Sequence, residues 1–305
     1  MSLPAGCPLC GAAAVEQGVV TRHVYGDREG KRAFFHCAGC DVRYLYPGLS
    51  AEQEARFYAS EFESFMAGRA GAAGGWGKVE DHVRANEPNR LRRMLYLAPR
   101  LLAGARVLEI GCSSGFMLAP LIETGHECVG VEPSGAFGEY LRSRGVEVYG
   151  SLEQLSAARP TARFDLVLHF FVLEHISAPR PFLESQLALL APHGRIVFEI
   201  PNAADPLYSV YDIPAFERFY WSVAHPWYFS ERSLQFLLTQ LARPFEIIRD
   251  QRYDLSNHMV WARDGRPGGT GRFTSALGTA LEESYKRGLI RVGRCDTLVG
   301  VVSGA

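Results

Sequence analysis

Arg106-Val-Leu-Glu-Ile-Gly-Cys-Ser-Ser-Gly-Phe-Met-Leu118 decides the fold. Val107, Leu108 and Ile110 make a short apolar run of the kind a buried strand requires. Gly111 and Gly115 bracket a tight turn, after which Phe116, Leu118, Leu121 and Ile122 open a helical pattern. A strand that passes through glycines into a helix lets a ligand approach the backbone closely. Glu109 stands inside the apolar strand, where an unpaired carboxylate is costly, so a partner is expected for it. One helix further on, Cys128-Val-Gly-Val-Glu-Pro133 reads as a second strand that ends in an acid. An acid at that tip can accept hydrogen bonds from both hydroxyls of a ribose. A dinucleotide dehydrogenase requires Gly-x-Gly-x-x-Gly, which Gly-Cys-Ser-Ser-Gly does not supply.

Two later segments follow in order. Phe164-Asp-Leu-Val-Leu-His-Phe-Phe-Val-Leu-Glu-His-Ile176 is an apolar strand leading into Leu-Glu-His, and Gly194-Arg-Ile-Val-Phe-Glu-Ile-Pro201 is a further strand. Together the four segments resemble the class I S-adenosylmethionine-dependent methyltransferases, over roughly residues 86 to 303. The resemblance implies an α/β fold: a doubly wound, Rossmann-like, seven-stranded sheet with an antiparallel final strand. It implies S-adenosyl-L-methionine as cofactor. Glu109, Gly111 and Gly115 then cradle the methionine part and Glu132 holds the ribose. Cys112, Phe116, Pro133, Ser151, His169 and Phe170 complete the expected cofactor pocket. Ser113 stands where the family usually carries glycine.

At the N-terminus, Cys7-Pro-Leu-Cys10 and Cys37-Ala-Gly-Cys40 form two Cys-x-x-Cys knuckles. Four thiolates in a tetrahedron suit Zn²⁺, so a small structural zinc ribbon is expected. Val19 to Val24 and Arg32 to His36 read as its hairpin strands, around the polar turn Gly26–Gly30. A redox or disulfide pair is the alternative, disfavoured by a reducing compartment and by the second knuckle. Cys112, Cys128 and Cys295 read as small core residues.

The chain has 305 residues, a formal net charge of −1 and 47% hydrophobic residues. Balanced charge argues against a broad nucleic-acid footprint. No apolar run approaches the ~20 residues that span a bilayer, and no signal peptide is evident, so the expected location is cytoplasmic. The expected organisation is a zinc ribbon over 1–48, a helical and Gly-rich linker or lid over 49–85, and the methyltransferase domain over 86–305. Within the first two parts, Tyr44–Gly48 reads as a turn, Ala51 to Phe65 as a helix and Gly68 to Gly77 as the linker or lid. Leu91, Met94, Leu95, Ala98 and Leu102 lie at helical spacing. Pro120, early in its helix, suggests a kink there.

An insertion over 202–229 is crowded with aromatic residues, about half of them expected to pack and the rest to face a methyl acceptor. Within it, His225-Pro-Trp-Tyr-Phe-Ser230 resembles a His-x-x-Tyr-Phe-Ser stretch of many of these methyltransferases, including sugar-modifying members. His225 is therefore the leading base for a hydroxyl acceptor, with His175 and Tyr228 as further catalytic candidates. The expected partner is a small-molecule or carbohydrate acceptor, methylated on oxygen. Sugar C-methylation, RNA methylation and a degenerate, non-catalytic interaction module are the alternatives. Oligomeric state leaves no trace in the sequence.

Overall fold

The computed structural model describes residues 3–57, 64–65, 68 and 79–304. Alternating apolar strands and amphipathic helices assemble a seven-stranded sheet in the order β10-β11-β8-β7-β4-β5-β6. Its strands are β4 (Arg106–Ile110), β5 (Glu127–Val131), β6 (Glu147–Tyr149), β7 (Phe164–Phe170), β8 (Leu190–Pro201), β10 (Phe245–Asp250) and β11 (Thr297–Ser303). β4 to β8 are parallel, and β11 runs antiparallel between β8 and β10. Leu108, Val167, Leu168, Val197 and Phe198 are fully buried, as strands covered on both faces must be. Each contributes about 1.5–3 kcal/mol through burial. Strand order reverses beside β4, so a crevice opens at the carboxyl ends of β4 and β7, where such sheets bind ligands.

A second sheet is antiparallel, in the order β1-β2-β3-β9. It joins β1 (Gln17–Thr21), β2 (Ala33–Cys37) and β3 (Arg43–Tyr46) to β9 (Trp227–Tyr228) from the aromatic insertion. Arg43 pairs with Tyr228 and Tyr44 with Trp227. The stretch read as a turn at Tyr44–Gly48 is thus mostly strand. Its partner lies far along the chain, beyond the reach of local pattern. Phe34 packs against Trp221 and Tyr228, at ring distances of 5.1 and 5.4 Å. Most of the insertion's aromatic side chains, including Phe216, Tyr220, Trp221, Trp227, Tyr228 and Phe229, are buried in this way. They join the N-terminal sheet to the rest of the molecule.

Helix Val79–Leu97 is present where helical spacing placed it, but its apolar stripe is not the buried face. Leu91 and Leu95 are exposed, while His82, Arg93, Tyr96 and Leu97 are buried. The reason is Glu199 on β8, which takes Arg92, Arg93 and Tyr96 as partners at 2.5, 2.8 and 2.6 Å. Pro120 falls in the first turn of helix Leu118–Glu123, where its missing N–H costs little. Of the stretch expected to form the first helix, Ala51–Arg56 is helical and Phe65 packs on Tyr25. Residues 58–63 and most of Gly68–Gly77 lie outside the described residues. Among the described residues, no helix is long and apolar enough to cross a membrane.

Candidate active site

The glycine turn leaves β4 through a run of left-handed backbone: φ is +71° at Gly111, +43° at Ser113 and +72° at Gly115. A Cβ on Gly111 would lie 2.7 Å from Val172, and one on Gly115 only 2.4 Å from Leu141, so side chains are excluded at both. Two devices hold the turn. Glu132 at the end of β5 accepts from the N–H of Ser113 at 2.7 Å and from the N–H of Ser134 at 2.8 Å. On the other side, His82 Nδ1 lies 2.8 Å from Ser114 Oγ, with its ring against Phe116 and Phe137.

Glu109 is 2% exposed, and its Oε2 has no hydrogen-bond partner among the described residues. Burial pushes its carboxyl up to about 8, against an opposing pull from Arg93. Glu199, equally buried, behaves in the opposite way. Burial would raise it, but Arg93 and Arg92 prevail and hold it at about 2. One buried acid is satisfied by protein and the other is left with a vacant acceptor. A glycine cradle that admits no Cβ, a vacant buried carboxyl oxygen suited to an ammonium group, and an acid at the tip of β5 fit an amino-acid nucleoside such as S-adenosylmethionine.

Other sequence-predicted cofactor residues fall in several places. Phe116 lies by the turn, and Phe170 lies beneath the Arg93 guanidinium at 3.9 Å. Pro133 is bracketed by Glu132 and Ser134. Cys112 turns inward, toward the space that Gly130 leaves open. Ser151 caps helix Leu152–Ala158 by accepting from Gln154. His169 is fully buried, stacked on Phe198 at 4.8 Å and edge-on to Phe182, on the opposite face of β7 from Phe170. Burial lowers its pKa to about 3, so it is a neutral core residue.

Beyond β7, Glu174, His175 and His225 come together, with one donor atom of each lying within 4.8 Å of the others. The two imidazole rings are edge-to-face, 4.7 Å apart. His175 Nδ1 lies 2.6 Å from the Ala224 carbonyl. A carbonyl only accepts, so Nδ1 carries the proton and Nε2 keeps the lone pair in the neutral ring. Tyr228 is buried beneath His225, and its hydroxyl donates to the Tyr220 carbonyl. It supports the pair from the core and does not face the crevice.

In the N-terminal sheet, the four cysteine sulfurs also gather within 4.8 Å of one another. Cys7 and Cys40 are 3.8 Å apart, Cys10 and Cys37 3.6 Å. The Cys40 sulfur beside it lowers the Cys7 thiol to about 5, while the same contact raises Cys40.

Comparison with known proteins agrees with the fold. Residues 82–241, just over half of the chain, match the family model described as a methyltransferase domain. The chain belongs to this methyltransferase domain family. Among curated relatives, the ubiquinone biosynthesis O-methyltransferase of Rhizobium etli is 33% identical over 104 residues, 32% of this chain and 42% of that protein. Its counterpart in Xanthomonas oryzae pv. oryzae is 26% identical over 162 residues, 50% and 66% of the respective chains. The chain thus spans between about two fifths and two thirds of the length of these relatives. A SAM-dependent methyltransferase of Archaeoglobus fulgidus shares the fold, with a TM-score of 0.50 and 17% identity over 80% of this chain and all of that one.

Several residues of the candidate site carry no local sequence signal. Arg92, Arg93 and Tyr96 are ordinary polar residues of a helix, and His82 lies well upstream of the turn it holds. The one available clue was Glu199, an acid within an apolar strand just as Glu109 is. Phe245 to Tyr253 and Asp296 to Val302 read as the last two strands, which the structure trims to Phe245–Asp250 and Thr297–Ser303, and the segment 254–294 between them has no pattern pointing to the site. It contributes helices Leu255–Asp264 and Thr279–Arg291 above the carboxyl edge of the sheet.

Proposed function

We propose that this methyltransferase alkylates a hydroxyl group of a small-molecule acceptor, of the carbohydrate or natural-product kind. The observation that carries the reading is the His175–His225 pair, with its fixed His175 tautomer, just beyond β7. S-adenosylmethionine supplies an electron-poor methyl group for in-line displacement. The protein's part is to align the acceptor and to take its proton. In this reading Glu109 meets the cofactor's ammonium group, Glu132 meets the ribose hydroxyls, and the glycine turn lets the backbone approach. His225 would accept the proton of the acceptor's hydroxyl, and His175 holds the neighbouring wall through Ala224. The relatives named for O-methylation support oxygen as the attacking atom.

The four cysteines supply the donor set and the spacing that Zn²⁺ takes, and the proposal includes one structural zinc ion held by Cys7, Cys10, Cys37 and Cys40. Its role is to fix the sheet that carries β9, and with it the segment bearing His225. Radiolabelled methyl transfer to a panel of hydroxyl acceptors, sugars and RNA tests the reading. Transfer to RNA alone, or to carbon in a deoxysugar, would replace it.

A further inference from the structure

The segment after β10 presents a cation that acts on Glu199 and Asp205 from a distance but forms no ion pair among the described residues. The Arg252 guanidinium lies over the Phe171 ring at 4.2 Å and near Tyr253 at 5.2 Å. Phe171 is the first residue after β7, three positions before Glu174. Among the described residues Arg252 is in no ion pair, and its buried Nε has no hydrogen-bond partner. Three acids lie nearby, and each is accounted for. Glu199 has Arg92 and Arg93 in contact. Asp205 is pushed well up by burial and by Asp296 beside it, which outweigh an opposing pull from Arg252. Asp296 accepts from the Gln251 side chain, the backbone N–H groups of Arg252 and Tyr253, and the Thr297 hydroxyl. A second cation stands next to Arg252, since the Lys286 ammonium donates to the Arg252 carbonyl at 2.8 Å. Beside Lys286, the Tyr285 hydroxyl lies 2.5 Å from His258 Nδ1, and His258 Nε2 is buried without a partner among the described residues.

We propose that Arg252 and Lys286 form the anchor for an oxyanion on the acceptor, a carboxylate or a phosphate, and so select anionic acceptors. A guanidinium stacked on an aromatic ring keeps its outer N–H fork open, and that fork matches carboxylate and phosphate oxygens in pairs. The ammonium adds charge without geometry. The anchor stands on the segment above the carboxyl edge of the sheet, and an acceptor held there reaches past Phe171 toward the histidine pair. This deepens the methyl-transfer reading above and rests on it for the acceptor's other end.

The test separates the two. Protein saturated with S-adenosylhomocysteine is titrated with inorganic phosphate and, separately, with benzoate, at ionic strength held constant with chloride, and binding is followed by calorimetry and thermal shift. The wild type should bind one or both anions saturably, phosphate pointing to phosphorylated acceptors and benzoate to carboxylated ones. Arg252→Gln should weaken that binding at least tenfold and Lys286→Met several-fold. Arg252→Lys keeps the charge but loses the fork and should fall between. Unchanged affinity for S-adenosylhomocysteine in each variant reports that it is folded. Absence of saturable anion binding in the wild type, or equal binding in wild type, Arg252→Gln and Lys286→Met, overturns the anchor. In parallel, the wild type is assayed for methyl transfer to catechol against 3,4-dihydroxybenzoate and to glucose against glucose 6-phosphate. Transfer that favours the neutral member of each pair also overturns it, leaving hydroxyl methylation standing. Anion binding without transfer to any hydroxyl leaves the anchor standing and counts against the hydroxyl reading.

Discussion

Ser113 and Glu132 are joined by a 2.7 Å hydrogen bond from the backbone N–H of one to the carboxylate of the other. Through it, the acid proposed to hold the ribose also fixes the turn that admits the cofactor. Ser113 sits at φ +43°, a conformation that costs a non-glycine residue energy and needs a restraint. Glu132→Ala should therefore lose affinity for S-adenosylhomocysteine twice over. Each hydrogen bond to a charged acceptor is worth about 1.5–3 kcal/mol, and release of the turn adds to the loss of two of them. Glu132→Gln keeps one carbonyl acceptor and should be less severe. Calorimetry decides, and undiminished affinity in the alanine variant removes the ribose assignment.

Glu109 predicts a pH dependence. Its pKa in the cofactor-free fold is raised from 4.5 to about 8 by burial. The folded state thus holds the proton more tightly than the unfolded chain does. That contribution to stability is fully present below about 4.5 and is lost as pH rises through about 8. At about 1.4 kcal/mol per pKa unit, the loss is on the order of several kcal/mol. Glu109→Gln should show no such decline between pH 5 and 8.5. Binding of the cofactor's ammonium group should ionise Glu109 with proton release, so wild-type affinity should rise from pH 6 toward 8. Parallel melting curves for wild type and variant across that range would refute this account.

The cysteine cluster predicts about one zinc per chain in freshly purified, reduced protein, read by elemental analysis. The ribbon sheet buries Phe34, Phe35, Tyr44 and Leu45 against the rest of the molecule, and metal binding at its cysteine end should add to its folding energy. Cys37→Ser should loosen the N-terminal sheet. Because β3 pairs with β9, the damage should pass to the His225 segment and lower methyl transfer. The glycine turn touches none of this, so affinity for S-adenosylhomocysteine should persist. Loss of cofactor binding in Cys37→Ser, with transfer lost in proportion, would contradict the proposed division of labour.

How far the sequence was legible follows from the range of the interactions involved. β4, the glycine turn, β5, β7 and β8 each declare themselves over a dozen residues or fewer, because a buried strand must be apolar and a left-handed turn must be glycine or small. Caps such as Ser134 and Ser230 are equally local. β3 was missed because its stabilising partner, β9, is a long-range one. The orientation of helix Val79–Leu97 was missed because an ion cluster around Glu199 outweighs a leucine stripe. Glu109 and Glu199 look alike in the sequence, and only the presence or absence of arginines in space separates a ligand contact from a structural one. The aromatic insertion advertised an acceptor surface, yet most of its rings secure the N-terminal sheet. The polar wall after β10 has no periodic signature at all.

The last prediction concerns the two histidines. Removal of a positioned base lowers turnover by about 10²–10⁴-fold, and His225→Ala should do so with cofactor affinity unchanged. His175 makes a separate demand. Its Nδ1–H is committed to the Ala224 carbonyl, the residue immediately before His225. His175→Ala would release that carbonyl and let the His225 backbone drift, so it should raise acceptor KM and lower melting temperature as well as kcat. His175→Asn keeps a short N–H donor near the carbonyl and should recover stability. Single-turnover methyl transfer at saturating cofactor, once an acceptor is known, separates the two roles. Near-normal rates for His225→Ala together with a collapse of kcat alone in His175→Ala would exchange the assignments and make His175 Nε2 the base. Near-normal rates in both would show that the acceptor loses its proton to water or needs to lose none.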